Sequence, residues 1–302
     1  MRSAPRQLAV GMGIAAAKCG QQRLRALALC GGLSRRCGFH ASIVRTKRRR
    51  GYAGDVRSAL LPLSVTLQPL GSVAEALDAV AALGLAGVQF DASDPDLRPR
   101  DMSESARRDL AAGLRRRGLV ASGVDCFVPV ARFTDATRVE RAVEAVEGSI
   151  LLAERLGRVP VCLFLPGGAR DVADSLEREA QRRGVTLADF GWPVAEGRGA
   201  VGIDPAVLLG EGADPATVLP GLSSRLAAAR VVDLLRSGMR GPIGEPGGAR
   251  LDAMAYRLAI EMSGFRGLPV IDCRQWQAPL QGVRLCAARW VALLPAVGGA
   301  VS

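Results

Sequence analysis

Five aspartates follow predicted β-strands of this sequence, each at or just past the residue where a strand ends. They are Asp91, Asp125, Asp189, Asp204 and Asp272. In a barrel of parallel strands the C-terminal strand ends form one rim, and catalytic groups lie on that rim. A carboxylate there can act as a general acid or base, or as a ligand of a divalent cation. Each aspartate alone could equally well cap the helix that follows it.

A basic residue accompanies the last of these aspartates. Arg274 follows Asp272 by two residues, so both side chains point to the same rim if the strand continues. A guanidinium group there can pair with a carboxylate or with an anionic group of a substrate. We therefore treat Asp189, Asp272 and Arg274 as the candidate catalytic residues.

Histidine and cysteine usage limits the chemistry further. The chain of 302 residues has one histidine, His40, so a mechanism with a histidine base or a histidine-rich metal site in the folded body is excluded. The seven cysteines are scattered and form no C-x-x-C pair, which is typical of reduced thiols in a cytosolic protein. We expect a cytoplasmic protein without a membrane span.

From residue 60 onward, short β-rich runs alternate with amphipathic helical segments. Eight such runs and about seven helices predict an α/β fold, a single (β/α)8 TIM barrel over residues 58–298. Only ten residues, four of them Gly or Pro, separate Asp189 from Ala200. A helical crossover needs about a dozen residues or more, so the helix between strands five and six is expected to be missing.

Residues 1–57 have a different composition. The first 54 residues carry 12 Lys or Arg and no acidic residue, whereas the rest of the chain carries 28 basic and 29 acidic residues. We expect residues 1–57 to be a disordered extension that is dispensable for folding. Its composition is also typical of an organellar transit peptide. A further hypothesis is that it tethers the barrel to nucleic acid or to an anionic membrane surface, although no specific nucleic-acid partner is expected.

Six stretches of the sequence, in their order and spacing, resemble the xylose-isomerase-like TIM barrel superfamily, the sugar phosphate isomerase and epimerase group. They are residues 83–90, 117–122, 153–157, 183–188, 201–206 and 264–272. The resemblance implies the same barrel fold and a small sugar-like molecule as the partner.

Active members of that superfamily hold one divalent cation on strands five to eight, with two histidines among the ligands. The resemblance places Asp204 at the strand-six aspartate, but the histidine position three residues later is Val207. The strand-seven histidine falls at or near Arg230, which puts a cation where a ligand is needed.

The two remaining ligand positions are carboxylates in the superfamily. Asp272 matches the strand-eight glutamate, and the strand-five glutamate falls at Asp189 or Phe190. The resemblance thus implies a weak or absent metal site at Asp204 and Asp272, with no cofactor or a weakly bound Mg²⁺ or Mn²⁺. Alternatively, Arg230 or Arg274 could stabilise an enediolate without a metal.

Two functions from different classes remain open. The first is a sugar phosphate isomerase or epimerase-like barrel that acts on a small sugar or polyol by carboxylate acid and base chemistry. The second is a catalytically degenerate barrel that binds a ligand or a partner protein. Composition and spacing do not indicate the substrate or the oligomeric state.

Overall fold

The computed structural model describes residues 61–194 and 199–293. Eight parallel strands close into a barrel in the order β1, β10, β7, β6, β5, β4, β3, β2. The barrel strands are β1 (Leu61–Thr66), β2 (Leu85–Asp91), β3 (Val120–Asp125), β4 (Val161–Leu163), β5 (Leu187–Asp189), β6 (Val201–Ile203), β7 (Leu226–Val231) and β10 (Val270–Ile271). The predicted TIM-barrel fold is confirmed.

The helices start and stop at residues that favour those positions. Ser72 and Glu75 form a capping box at the start of the first helix, and Ser103 Oγ accepts the Ala106 N–H at the start of the second. Gly118 ends the second helix in the left-handed conformation. The helices are α1 (Val73–Ala82), α2 (Glu104–Arg117), α3 (Val139–Arg155), α4 (Arg170–Arg183), α5 (Pro205–Gly210), α6 (Pro215–Val218), α7 (Ala253–Met262) and α8 (Pro279–Ala292).

Side chains alternate between the two faces of each barrel strand, and this alternation separates the apolar residues into an outer and an inner layer. Large residues at one set of positions pack between the strands and the helices, for example Leu63, Val88 and Val124. The other set points into the barrel, where a smaller cluster forms from Cys162, Ala188, Phe190 and Ala228. Polar side chains at the same inward positions of other strands complete the interior.

A two-stranded ribbon interrupts the long glycine-rich segment after β7. Its strands are β8 (Asp233–Leu234) and β9 (Arg240–Gly241), paired antiparallel. The Asp233 carboxylate accepts the backbone N–H groups of Arg250 and Leu251, at 3.1 and 2.9 Å. These bonds hold both ends of the segment, so the ribbon can return Arg240 to the C-terminal mouth of the barrel.

Two sequence predictions concern residues outside the described ranges. The predicted N-terminal extension, residues 1–57, is one of them. Residues 190–194 and 199–200 of the β5–β6 connection are not helical, but residues 195–198 are not described, so the missing helix stays a prediction. In the part of the chain that is described, no helix is both long and apolar enough to span a membrane.

Candidate functional site

A buried arginine lies among side chains of three barrel strands at the mouth of the barrel. Arg230 on β7 is 1% exposed, and its Nη2 donates to Asp125 Oδ1 at 2.5 Å. Its Nη1 donates to Gln89 Oε1 at 2.7 Å, and Gln89 Nε2 donates to the same Asp125 oxygen at 2.8 Å. The Phe190 ring lies 5.1 Å from the guanidinium carbon. Hydrogen bonds therefore join side chains of β2, β3 and β7 at this point.

A second arginine links the last barrel strand to this centre. Arg274 donates to Asp272 through Nε at 2.8 Å and Nη2 at 2.6 Å, a bidentate pair. Its Nη1 lies 3.2 Å from Asp125 Oδ2, so Asp125 contacts two guanidinium groups. The ring of Phe127 lies 5.0 Å from the Arg274 guanidinium carbon. The sequence-predicted pair of Asp272 and Arg274 is thus brought together.

The ribbon supplies a third arginine. Arg240 Nη2 lies between two carboxylates, 2.7 Å from Asp204 Oδ2 and 2.9 Å from Asp272 Oδ2. Asp204 also caps α5, because its Oδ1 accepts the N–H groups of Ala206 and Val207. Asp204 therefore caps a helix through Oδ1 and contacts Arg240 through Oδ2.

These contacts form one connected set, which we call the mouth network. Its members are Gln89, Asp125, Asp204, Arg230, Arg240, Asp272 and Arg274. Three guanidinium groups balance three carboxylates in it. Such pairing offsets part of the free energy that charged groups lose when they leave water.

The charges shift the protonation equilibria in this site. Burial alone would raise the pKa of Asp272, but the hydrogen bonds from Arg274 and the charges of Arg230 and Arg240 lower it well below its usual range. For Asp125, burial is the largest influence and raises the pKa against the opposing charges of Arg230 and Arg274. Asp272 is therefore ionised at neutral pH and is a very weak base.

Asp189 lies outside this network. Its Oδ1 accepts the backbone N–H groups of Leu165 at 3.1 Å and Gly191 at 2.9 Å. Its strand neighbours Ala188 and Phe190 point into the barrel, so alternation places Asp189 on the opposite face. Among the described residues, no hydrogen bond or ion pair joins Asp189 to Asp272 or Arg274.

The sequence analysis did not identify Gln89 or Arg240 as site residues. It also did not predict that Asp125 contacts two arginines. Gln89 gave a usable signal, because it is a polar residue between Val88 and Phe90 in an otherwise apolar run. Arg240 gave none, since the ribbon strands of two residues are too short to show a period.

The residues present do not fit a divalent cation. Within residues 61–194 and 199–293, no group of three or more His, Cys, Asp or Glu side chains is placed to hold a metal ion. Asp204 Oδ2 and Asp272 Oδ2 both contact Arg240 Nη2, and Asp272 Oδ2 also accepts a hydrogen bond from Arg274. A cation at this point would face three positive charges at close range.

Comparisons with known proteins agree with the fold. The sequence model of a family described as a xylose isomerase-like TIM barrel matches residues 77–190. No curated protein matches the sequence at a significant level. The chain has the architecture of a xylose isomerase-like TIM barrel, and the resemblance seen in the sequence is confirmed.

Solved structures with this architecture include several enzymes. A xylose isomerase domain protein from Planctomyces limnophilus superposes with a TM-score of 0.60 at 15% identity, covering 78% of this chain and 97% of that one. D-psicose 3-epimerase from Clostridium cellulolyticum H10 gives 0.61 at 11% identity, covering 77% and 99%. The probable 3-DHS dehydratase from Bacillus anthracis gives 0.61 at 10% identity, covering 76% and 98%. At these identities the likeness concerns the fold alone.

Proposed function

We propose that this barrel binds a small sugar or sugar acid at its mouth, with arginines in the electrostatic role of the metal ion, and that it does not turn the ligand over. The observation that carries the proposal is the position of Arg240 between Asp204 and Asp272. Similar folds occur in proteins named as sugar epimerases, which supports a sugar-like ligand.

The state of the carboxylates argues against turnover. Isomerisation needs a base that removes a proton beside a carbonyl group. Asp272 is tied to two arginines and its pKa is lowered, so it holds a proton poorly. Asp189, the other candidate base, accepts backbone N–H groups on the outer side of its strand.

The arginines offer the donors that a ligand needs. Arg240 and Arg274 keep 17% and 21% of their side-chain surface exposed, whereas Arg230 keeps 1%. Arg240 uses only Nη2 in its two ion pairs, so Nε and Nη1 can donate to a hydroxyl or carboxylate oxygen. Arg240 is therefore the residue on which ligand binding should depend most.

Calorimetric titration of the full chain with D-tagatose and with D-glucuronate tests the binding. We expect saturable binding of at least one of them, and a loss of affinity of tenfold or more in Arg240→Ala. Arg236→Ala is the matched control, because Arg236 lies in the same segment, is exposed and has no ion pair with a described residue. No binding by the wild type, or equal affinity in Arg240→Ala, contradicts the proposal.

Proton exchange tests the absence of turnover. Incubation with D-tagatose in D₂O, followed by NMR, detects any removal of a proton beside the carbonyl group. We expect no deuterium incorporation above the rate without protein. Incorporation that disappears in Asp272→Asn or Asp189→Asn would instead establish acid and base catalysis by those residues.

A further inference from the structure

A cavity lies beside the mouth, and none of its lining residues belongs to the mouth network. It has a volume of about 560 Å³ and is formed by the loops after β2 and β3 and by one face of α3. This volume is in the range of small-molecule sites. We call it the arginine pocket after the five arginines that line it, Arg98, Arg100, Arg132, Arg138 and Arg141.

The arginine pocket has an excess of positive charge. Asp101 pairs with Arg98 at 3.2 Å and with Arg100 at 3.6 Å, and Asp135 pairs with Arg138 at 3.3 Å. Glu144 is the one acidic residue among the described residues that line the cavity. When Asp101 and Asp135 are counted together with Glu144, five guanidinium groups and three carboxylates leave a surplus of two positive charges in and around the cavity.

Two arginines account for that surplus. Arg132 and Arg141 are exposed, line the cavity and form no ion pair with any residue in the described ranges. Each keeps its planar set of N–H donors available for a ligand. The lining also includes apolar residues, among them Cys126, Phe127 and Ala142.

We propose that the arginine pocket binds the phosphate group of a phosphorylated small molecule through Arg132 and Arg141. The surplus of two charges matches a phosphate monoester, which carries about −1.5 to −2 at neutral pH. Arginine is the side chain best suited to bidentate contacts with phosphate oxygens. The inference is independent of the proposed function, since none of these arginines belongs to the mouth network.

The pocket is nevertheless next to the mouth. The Phe127 ring lines the cavity and also lies against the Arg274 guanidinium, 5.0 Å from its carbon. A ligand held by its phosphate in the arginine pocket is therefore close to the open side of the barrel.

Titration calorimetry of the full chain with inorganic pyrophosphate at about 0.15 M salt tests the site, because this probe offers phosphate groups and nothing else. We expect one saturable site in the wild type and a loss of affinity of tenfold or more in Arg132→Ala/Arg141→Ala. Arg132→Lys/Arg141→Lys should retain more affinity than the alanine pair because it keeps the charge.

Arg266→Ala/Arg284→Ala is the matched control. It removes two exposed arginines that lie outside the pocket, and it leaves the basic N-terminal residues unchanged, as do all the other variants. Its affinity should stay within twofold of the wild type. The proposal is overturned if the wild type shows no saturable binding, if the alanine pair binds as the wild type does, or if both alanine pairs weaken binding equally.

Discussion

Arginine and acidic side chains occur together in both the mouth network and the arginine pocket. The two regions differ in how the positive and negative charges are balanced. In the mouth network each guanidinium group is paired, and Asp125 and Arg230 are each 1% exposed. In the arginine pocket, exposed guanidinium groups outnumber the carboxylates. Buried charge must be neutralised within the protein, whereas charge in water can remain available for a ligand. The first region should therefore matter for stability, and the second for binding.

The largest expected effect comes from removing Asp125. Asp125→Ala leaves Arg230 buried without its carboxylate, which should lower the free energy of unfolding by about 3–5 kcal/mol. Urea denaturation followed by circular dichroism measures the change. Asp78→Ala removes the partner of Arg117 in an exposed pair and should leave stability nearly unchanged. Equal losses in the free energy of unfolding in the two variants would contradict the expected difference between buried and exposed ion pairs.

We expect a smaller loss of stability when acidic pH protonates Asp272. The pKa of Asp272 is lowered on folding, so its ionised form stabilises the folded state above the unfolded pKa of about 3.9. This contribution is lost as the pH falls below that value toward the folded pKa. Denaturation at a series of pH values between neutral and acidic should show a weaker acid dependence in Asp272→Asn than in the wild type.

Asp174→Asn provides the control for that series. Asp174 is exposed, and its carboxylate has no hydrogen bond or ion pair with a described residue. Its substitution should leave the acid dependence as it is in the wild type. An acid dependence unchanged in Asp272→Asn would show that the arginines do not stabilise the ionised carboxylate.

The smallest effect on stability is expected in the arginine pocket. Arg132→Ala/Arg141→Ala breaks no ion pair with a described residue, so the free energy of unfolding should change by less than about 0.5 kcal/mol. Thermal and urea denaturation of the double variant measure it. A loss of more than about 2 kcal/mol would mean that these arginines support the fold rather than a ligand.

The parts of this fold that depend on local sequence could be predicted. Ser72 and Ser103 mark helix starts, and the alternation of strands and helices gave the barrel, because these signals lie within a few residues of the elements they specify. Arg230 was also expected on strand seven, and it lies on β7, although its partners were not predicted.

Contacts between distant strands could not be predicted. Arg230 and Gln89 are 141 residues apart in the sequence, and Arg230 and Asp125 are 105 apart. Their pairing depends on closure of the barrel, which no local pattern encodes. Asp189 shows the reverse problem: its place at a strand end was clear from the sequence, but the face it occupies depends on the register of β5.

We propose that the Arg240 guanidinium group, between Asp204 and Asp272, takes the electrostatic role of a metal ion, and Mn²⁺ binding tests this proposal. Elemental analysis of the desalted full chain, followed by Mn²⁺ titration, should show no stoichiometric metal and only weak binding in the wild type and in Arg236→Ala. Arg240→Ala should bind Mn²⁺ at least tenfold more tightly, because it removes a positive charge from between Asp204 and Asp272 and frees Asp204 Oδ2, while Arg274 still pairs with Asp272. One equivalent of tightly held metal in the wild type, or no gain in Arg240→Ala, would contradict the account.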